Sequence, residues 1–216
     1  MAAVSCSSIR SGAGAGGNAA PALLPAPGGT LGSSRTAITS VAIVGDSITE
    51  ASVAALTTTL TGAGVHDLRV EGKRSRRIDV GNGKGDAPLS GVIATYNLLA
   101  EGVDPDAWVI ELGTNDVGSY ANADEYGALI DLITAMIPDK PLVWVNTYRE
   151  QYLDDTVLFN TVLSERMKSR GHAEIADWYS VASAPDQSVL RTDNLHPNDN
   201  GQLALSLLIL QALQRL

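Results

Sequence analysis

The 216-residue sequence has one cysteine, Cys6, and three histidines, His66, His172 and His196. A lone thiol excludes a disulfide framework and any Cys-rich zinc module, and the histidines have no ligand-spaced partners. Aromatic residues are few, with three Trp, six Tyr and one Phe, so the core has to be aliphatic. No apolar run approaches the roughly 18 residues that a membrane span needs. The sequence holds no Walker A motif and no G-x-S-x-G nucleophile elbow. Basic residues are outnumbered 15 to 24, a net charge of −9. Such a balance argues against general affinity for nucleic acid or anionic lipid. No cofactor and no metal are expected, and the chain is expected to act as a monomer on a small molecule.

Hydrophobic residues make up 44% of the chain, enough for one large core. They are unevenly spread. Over residues 1–35, Ala, Gly, Pro and Ser fill 24 positions and Asp and Glu are absent, the composition of a disordered tail. Gly12 to Gly17 match the dinucleotide pattern G-x-G-x-x-G literally, but no strand precedes them, so the match is compositional. The tail lacks the charged start and continuous apolar stretch of a secretion signal. It tilts the expected location toward the cell envelope or secretion, with the cytoplasm as the alternative. The working domain is expected over 36–216.

From Thr36 onward strand-like and helix-like segments alternate. Val41–Val44, Leu68–Val70, Trp108–Leu112, Leu142–Val145 and Ala173–Ala176 read as short strands. Helical patterns run over Ile48–Leu60, Val92–Leu99, Tyr126–Ile137, Thr156–Met167 and Gly201–Leu213. Short buried strands alternating with helices predict a parallel sheet covered on both faces. The expected fold is α/β: a three-layer α/β/α sandwich, flavodoxin-like, with five parallel strands in one domain.

A sheet of this kind binds ligands beyond the carboxyl ends of its strands. Gly45-Asp46-Ser47 follows the first strand, Gly113-Thr114-Asn115-Asp116 the third, and Asp193 to Asn198 precede the last helix. A serine hydroxyl attacks only when a base takes its proton, and the base needs a third group to fix its tautomer. Ser47, His196 and Asp193 supply these types. His196 lies three positions after Asp193, so a tight loop can fold the carboxylate back onto the imidazole. Ser47 lies at a strand-to-helix junction, where its N–H can face a developing oxyanion, and Asn115 offers a side-chain N–H₂. Each fragment alone has a plainer reading: Ser47 as a helix N-cap, Gly113–Asp116 as a turn, Asp193–Asn198 as a helix-entry Asx turn.

Together, Gly-Asp-Ser, Gly-x-Asn-Asp and Asp-x-x-His in this order resemble the blocks of the SGNH (GDSL-type) serine hydrolases across residues 41–216. The resemblance implies a Ser47–His196–Asp193 triad and acyl transfer through an acyl-serine. The implied oxyanion hole comprises the Ser47 N–H, a second-block N–H and the Asn115 side chain, with Asp46 and Gly113 in support. Ile48 stands where the family usually has Leu. In the second block Ser75 occupies the position where Gly is usual, so a positive φ there would be costly; Gly72 is the alternative donor. A small acyl ester is the implied substrate, carbohydrate O-acetyl esters being one such class.

Three readings follow: an esterase, an acyltransferase moving the acyl group to a glycan hydroxyl, or a non-catalytic binding domain on the same fold. Residues 69–84 carry a local charge of +4, either a solvated loop or one that touches an anionic or sugar substrate. Tyr148 to Tyr152 either wall the pocket or lie on the surface.

Overall fold

A computed structural model describes residues 37–185 and 188–216. The tail expected over 1–35 therefore lies outside the described residues. Five strands form one parallel sheet: β1 (Ser40–Gly45), β2 (Asp67–Gly72), β3 (Ala107–Glu111), β4 (Leu142–Val145) and β5 (Ala173–Ala176). Their order is β2-β1-β3-β4-β5. Six helices connect and cover them: α1 (Ser47–Gly62), α2 (Gly91–Ala100), α3 (Ala123–Met136), α4 (Leu153–Arg170), α5 (Trp178–Ala182) and α6 (Asp199–Arg215).

The central strands are buried on both faces, so they read as continuous apolar runs rather than alternating ones. Successive side chains still face opposite layers. Ala42, Val44, Trp108, Ile110 and Trp144 pack against α2, α3 and α4. Val41, Ile43, Val109, Val143 and Val145 pack against α1, α6 and Trp178 of α5. This is the three-layer sandwich expected from the alternation. The differences lie at element ends. Strand β2 runs from Asp67 to Gly72, longer than its apolar residues suggest, because its exposed positions are polar and carry no hydrophobic signal. Helix α4 begins at Leu153 and ends at Arg170, and the short α5 is a further element. Helix α3 breaks at Ile137, before Pro138, as the residue preceding a proline requires.

The direction in which strands are added to the sheet reverses between β1 and β3, the switch point. There Gly45 stands level with Gly72 on one side and with Glu111 on the other. The ends of β1, β2 and β3 thus form one ledge.

Candidate active site

Ser47 is the first residue of α1. It is not the N-cap. Asp46 takes that role, its Oδ1 accepting from Ile48 N–H at 2.8 Å, which leaves the Ser47 hydroxyl free of helix capping. A second carboxyl supports the turn from β3. Glu111 Oε2 accepts from Asp46 N–H at 3.3 Å, Thr49 N–H at 3.1 Å and Thr49 Oγ1 at 2.9 Å. The two side chains therefore satisfy consecutive orphan amides at the helix start.

Asp46 and Glu111 are both buried and hydrogen-bonded to each other. Burial drives the Glu111 carboxyl well above the ordinary carboxylate range, and the adjacent Asp46 charge pushes it further. Burial also raises Asp46, against the opposing hydrogen bonds from Ile48 N–H and Glu111 and the nearby His196 and Arg76. Burial and mutual repulsion thus push both carboxyls upward and favour one proton kept between them. The apolar reading of this strand gave its role no signal, because a lone Glu at a strand end is ordinarily surface.

His196 reaches Ser47 from the loop before α6. Its Nε2 lies 3.0 Å from Ser47 Oγ, and its Nδ1 lies 2.8 Å from Asp193 Oδ2. The other Asp193 oxygen accepts from Leu195 N–H at 3.0 Å and His196 N–H at 2.9 Å. The Asx turn expected for this loop is therefore present, and it is the device that sets the carboxylate against the ring. Burial alone would raise Asp193, but the hydrogen bonds from His196 and Leu195 outweigh it and hold the carboxyl at about 2. Asn194 takes a left-handed φ of 54° and bonds Glu150 Oε2 at 2.9 Å, pinning the turn to the 3₁₀ segment Glu150–Tyr152.

Asn115 follows β3, where Gly113 makes the bend. Its φ is 124°, and a Cβ there would lie 2.5 Å from the Phe159 ring, so no other residue fits without rearrangement. Asn115 Nδ2 donates to Asp46 Oδ2 at 3.0 Å and to the Arg76 carbonyl at 3.1 Å. Its amide hydrogens are therefore engaged within the protein, and donation to a substrate oxyanion requires one of these bonds to be shared. Next to it, buried Asp116 accepts from Ile78 N–H at 3.1 Å and Arg77 Nε at 3.3 Å. Burial raises Asp116 to about 6 despite these donors.

The basic segment after β2 divides into inward and outward residues. Arg76 is only 4% exposed. Its guanidinium donates to the carbonyls of Leu89 at 3.1 Å, Gly45 at 3.1 Å and Glu71, closing the ends of β1 and β2. Arg77 binds Asp116 and lies over the Tyr120 ring. Arg74 faces outward and pairs with Glu50 at 3.6 Å. Ser75 has the positive φ, 58°, that its position in the second block foreshadows. Gly72, the other candidate donor, ends β2 and packs against α1, where a Cβ would meet Glu50 N at 2.5 Å.

A cleft of about 820 Å³ opens over these groups, lined by Ser47, Ser75, Asn115 and His196 and flanked by Glu50, Arg74 and Arg191. Among the described residues, the N–H groups of Ser47 and Ser75 have no protein acceptor. Tyr148 and Tyr152 stay outside the cleft: Tyr148 stacks edge-on against Tyr179, and Tyr152 packs on Gly118 and beneath Arg149. Among the described residues no group of His, Cys, Asp and Glu is arranged to hold a metal ion. No helix among them is long and apolar enough to cross a membrane.

A parallel sheet of this order, with a serine on its first strand-to-helix turn and an Asp–His pair before its last helix, is the arrangement expected of an SGNH-type serine hydrolase. The chain belongs to the GDSL-like lipase/acylhydrolase family, whose sequence model matches residues 43–204. No curated protein matches the chain in sequence. Several solved structures share its fold. The lipase/acylhydrolase from Enterococcus faecalis is 18% identical, with a TM-score of 0.66 over 82% of this chain and 96% of that one. The C-terminal catalytic domain of Streptococcus pneumoniae peptidoglycan O-acetyltransferase A is 21% identical, with a TM-score of 0.64 over 82% and 94%. A carbohydrate acetylesterase family member from Sinorhizobium meliloti is 16% identical, with a TM-score of 0.63 over 83% and 100%.

Proposed function

We propose that this hydrolase cleaves small acyl esters, carbohydrate O-acetyl esters among them, through an acyl-Ser47 intermediate. The observation that carries the reading is the unbroken chain from Ser47 Oγ to His196 Nε2 at 3.0 Å and from His196 Nδ1 to Asp193 Oδ2 at 2.8 Å. In this mechanism His196 takes the hydroxyl proton as Ser47 Oγ bonds to the ester carbonyl carbon. The tetrahedral oxyanion is received by the N–H groups of Ser47 and Ser75 and by the Asn115 amide. As the alkoxy C–O bond breaks, His196 returns the proton to the leaving alcohol. Water then attacks the acyl-serine with His196 as base, releasing the acid and restoring the Ser47 hydroxyl. Asp193, ionised throughout, fixes the imidazole tautomer and stabilises the imidazolium.

The second reading replaces water by a glycan hydroxyl. It is favoured by the open cleft, which has room for an acceptor beside the acyl group, and by the likeness to the peptidoglycan O-acetyltransferase domain. Hydrolysis of p-nitrophenyl acetate by wild type and Ser47→Ala, with fluorophosphonate labelling of Ser47, tests the shared chemistry. Product analysis with and without a sugar acceptor separates the two readings. A folded protein that neither turns over the ester nor labels at Ser47 would be a binding domain instead.

A further inference from the structure

The residues that line the cleft carry more positive than negative charge, unlike the chain as a whole. Against a net −9, two guanidiniums and one carboxylate flank the opening over Ser47. Glu50 pairs with Arg74, 3.6 Å away. Arg191 is differently placed. Its Nε donates to the Pro197 carbonyl at 3.1 Å, and its backbone N–H donates to the His196 carbonyl at 2.8 Å. The bridge between Leu190 and Pro197 closes the same small ribbon. Arg191 is thereby fixed beside the base, while its two terminal nitrogens have no protein acceptor among the described residues.

The place of Arg191 determines which part of a substrate it meets. The leaving alcohol must lie against His196 Nε2, because that nitrogen returns the proton to it. Arg191 lines the same cleft from the ribbon that carries His196, which favours a meeting with the alcohol half of the ester. An unclaimed planar fork of N–H donors matches a carboxylate or a phosphate in two parallel bonds, a match that an ammonium does not make. The nearby carboxylates are engaged elsewhere, Asp193 by His196 and Leu195 and Glu150 by Asn194, and exposed charges beyond about 8–10 Å are screened at ordinary ionic strength.

We infer that Arg191, with Arg74 across the cleft, selects acyl esters whose leaving alcohol carries an anionic group. This rests on the acyl-Ser47 reading and adds the substrate class. Carboxylate and phosphate share the chemistry that the fork recognises, so the test includes both.

Three aryl acetates serve as probes: 4-acetoxybenzamide as the neutral member, 4-acetoxybenzoate and 4-acetoxyphenyl phosphate as the charged ones. Each kcat/KM is divided by the ester's hydroxide-catalysed rate to remove intrinsic reactivity. One charged probe or both should exceed the neutral one by about tenfold, chiefly through KM, as one charge-assisted hydrogen bond implies. Which charged probe leads identifies the anion. Arg191→Gln should lower the charged-to-neutral ratio by about the same factor, and Arg191→Lys should retain part of it. The wild-type ratio should shrink as salt rises from about 0.05 to about 0.5 M. Equal normalised rates for all three probes overturn the inference, as does an Arg191→Gln variant that slows all three alike. Failure of every probe together with failure of fluorophosphonate labelling instead removes the acyl-Ser47 reading, and this inference with it.

Discussion

Truncating Glu111 to Leu removes a carboxyl whose Oε2 accepts from three groups at the start of α1. Asp46 N–H keeps a second acceptor, the Glu111 main-chain carbonyl at 3.2 Å, and loses little. Thr49 N–H is left buried without a partner, at a cost of about 1–3 kcal/mol, and its hydroxyl loses roughly 1 more. Glu111→Leu is therefore expected to destabilise by about 2–4 kcal/mol and to disorder the turn that presents Ser47. Glu111→Gln keeps an oxygen for Thr49 and offers an N–H to Asp46 in place of the shared proton, so it should cost less than about 1 kcal/mol. The two variants also differ with pH. A carboxyl raised in the fold binds its proton more tightly folded than unfolded, so wild-type stability falls as pH climbs above about 4.3 toward the raised value. Glutamine does not titrate, and the Gln variant should gain on wild type over that rise. Urea denaturation followed by circular dichroism at about pH 5 and about pH 8 measures both effects. Equal losses for Leu and Gln, or a wild-type-to-Gln difference that ignores pH, would refute a Glu111 carboxyl raised by burial and anchoring the nucleophile turn.

Four further expectations concern single residues. Asn115→Ala should lower kcat by on the order of 10²–10³ with a folded protein, and a change confined to KM would remove Asn115 from the oxyanion hole. Ser75→Gly relieves a left-handed φ and retains the N–H, so melting curves should show up to about 1 kcal/mol of added stability with activity kept; lost activity would implicate the Ser75 hydroxyl. Arg76→Met removes the side-chain donor from the carbonyls of Glu71, Leu89 and Gly45, the last of which keeps Lys73 N–H at 3.2 Å, and should cost about 2 kcal/mol in denaturant titration, with Arg76→Lys recovering little of it. Because Asp193 is held at about 2, Asp193→Asn should slow the reaction across the whole pH profile; a loss confined to acid pH would contradict the assigned role.

Much of this architecture is legible in the sequence because its signals are local. The apolar runs at Val41, Trp108 and Leu142 announce buried strands, and the residues that follow two of them carry the serine and the asparagine. The Asp193–His196 spacing announces its own turn. Glu111, Arg76 and the engaged amide of Asn115 are not legible, and the reason is physical. Each acts through contacts across the switch point between chain segments tens of residues apart, and a charged residue in isolation reads as a solvated one. Arg76 illustrates the difficulty: four neighbouring basic side chains in 73–77 look alike in sequence, and only packing separates the one under the strands from the one at the cleft. The cost anticipated for Ser75 came from a rule about backbone geometry, which needs no tertiary knowledge.

The short separation of Asp193 from His196 has a consequence for how this enzyme is assembled. Acid and base are fitted to each other by hydrogen bonds within one turn, so that pair can exist as a local unit early in folding. The contact that completes the site spans 149 residues, from the start of α1 to the entry of α6. Catalytic competence is therefore expected late in folding, when the C-terminal segment docks on the strand ends. Recovery of activity during refolding would then lag behind recovery of helical and sheet signal, and the interval between them would time the docking of the His196 loop over the ledge.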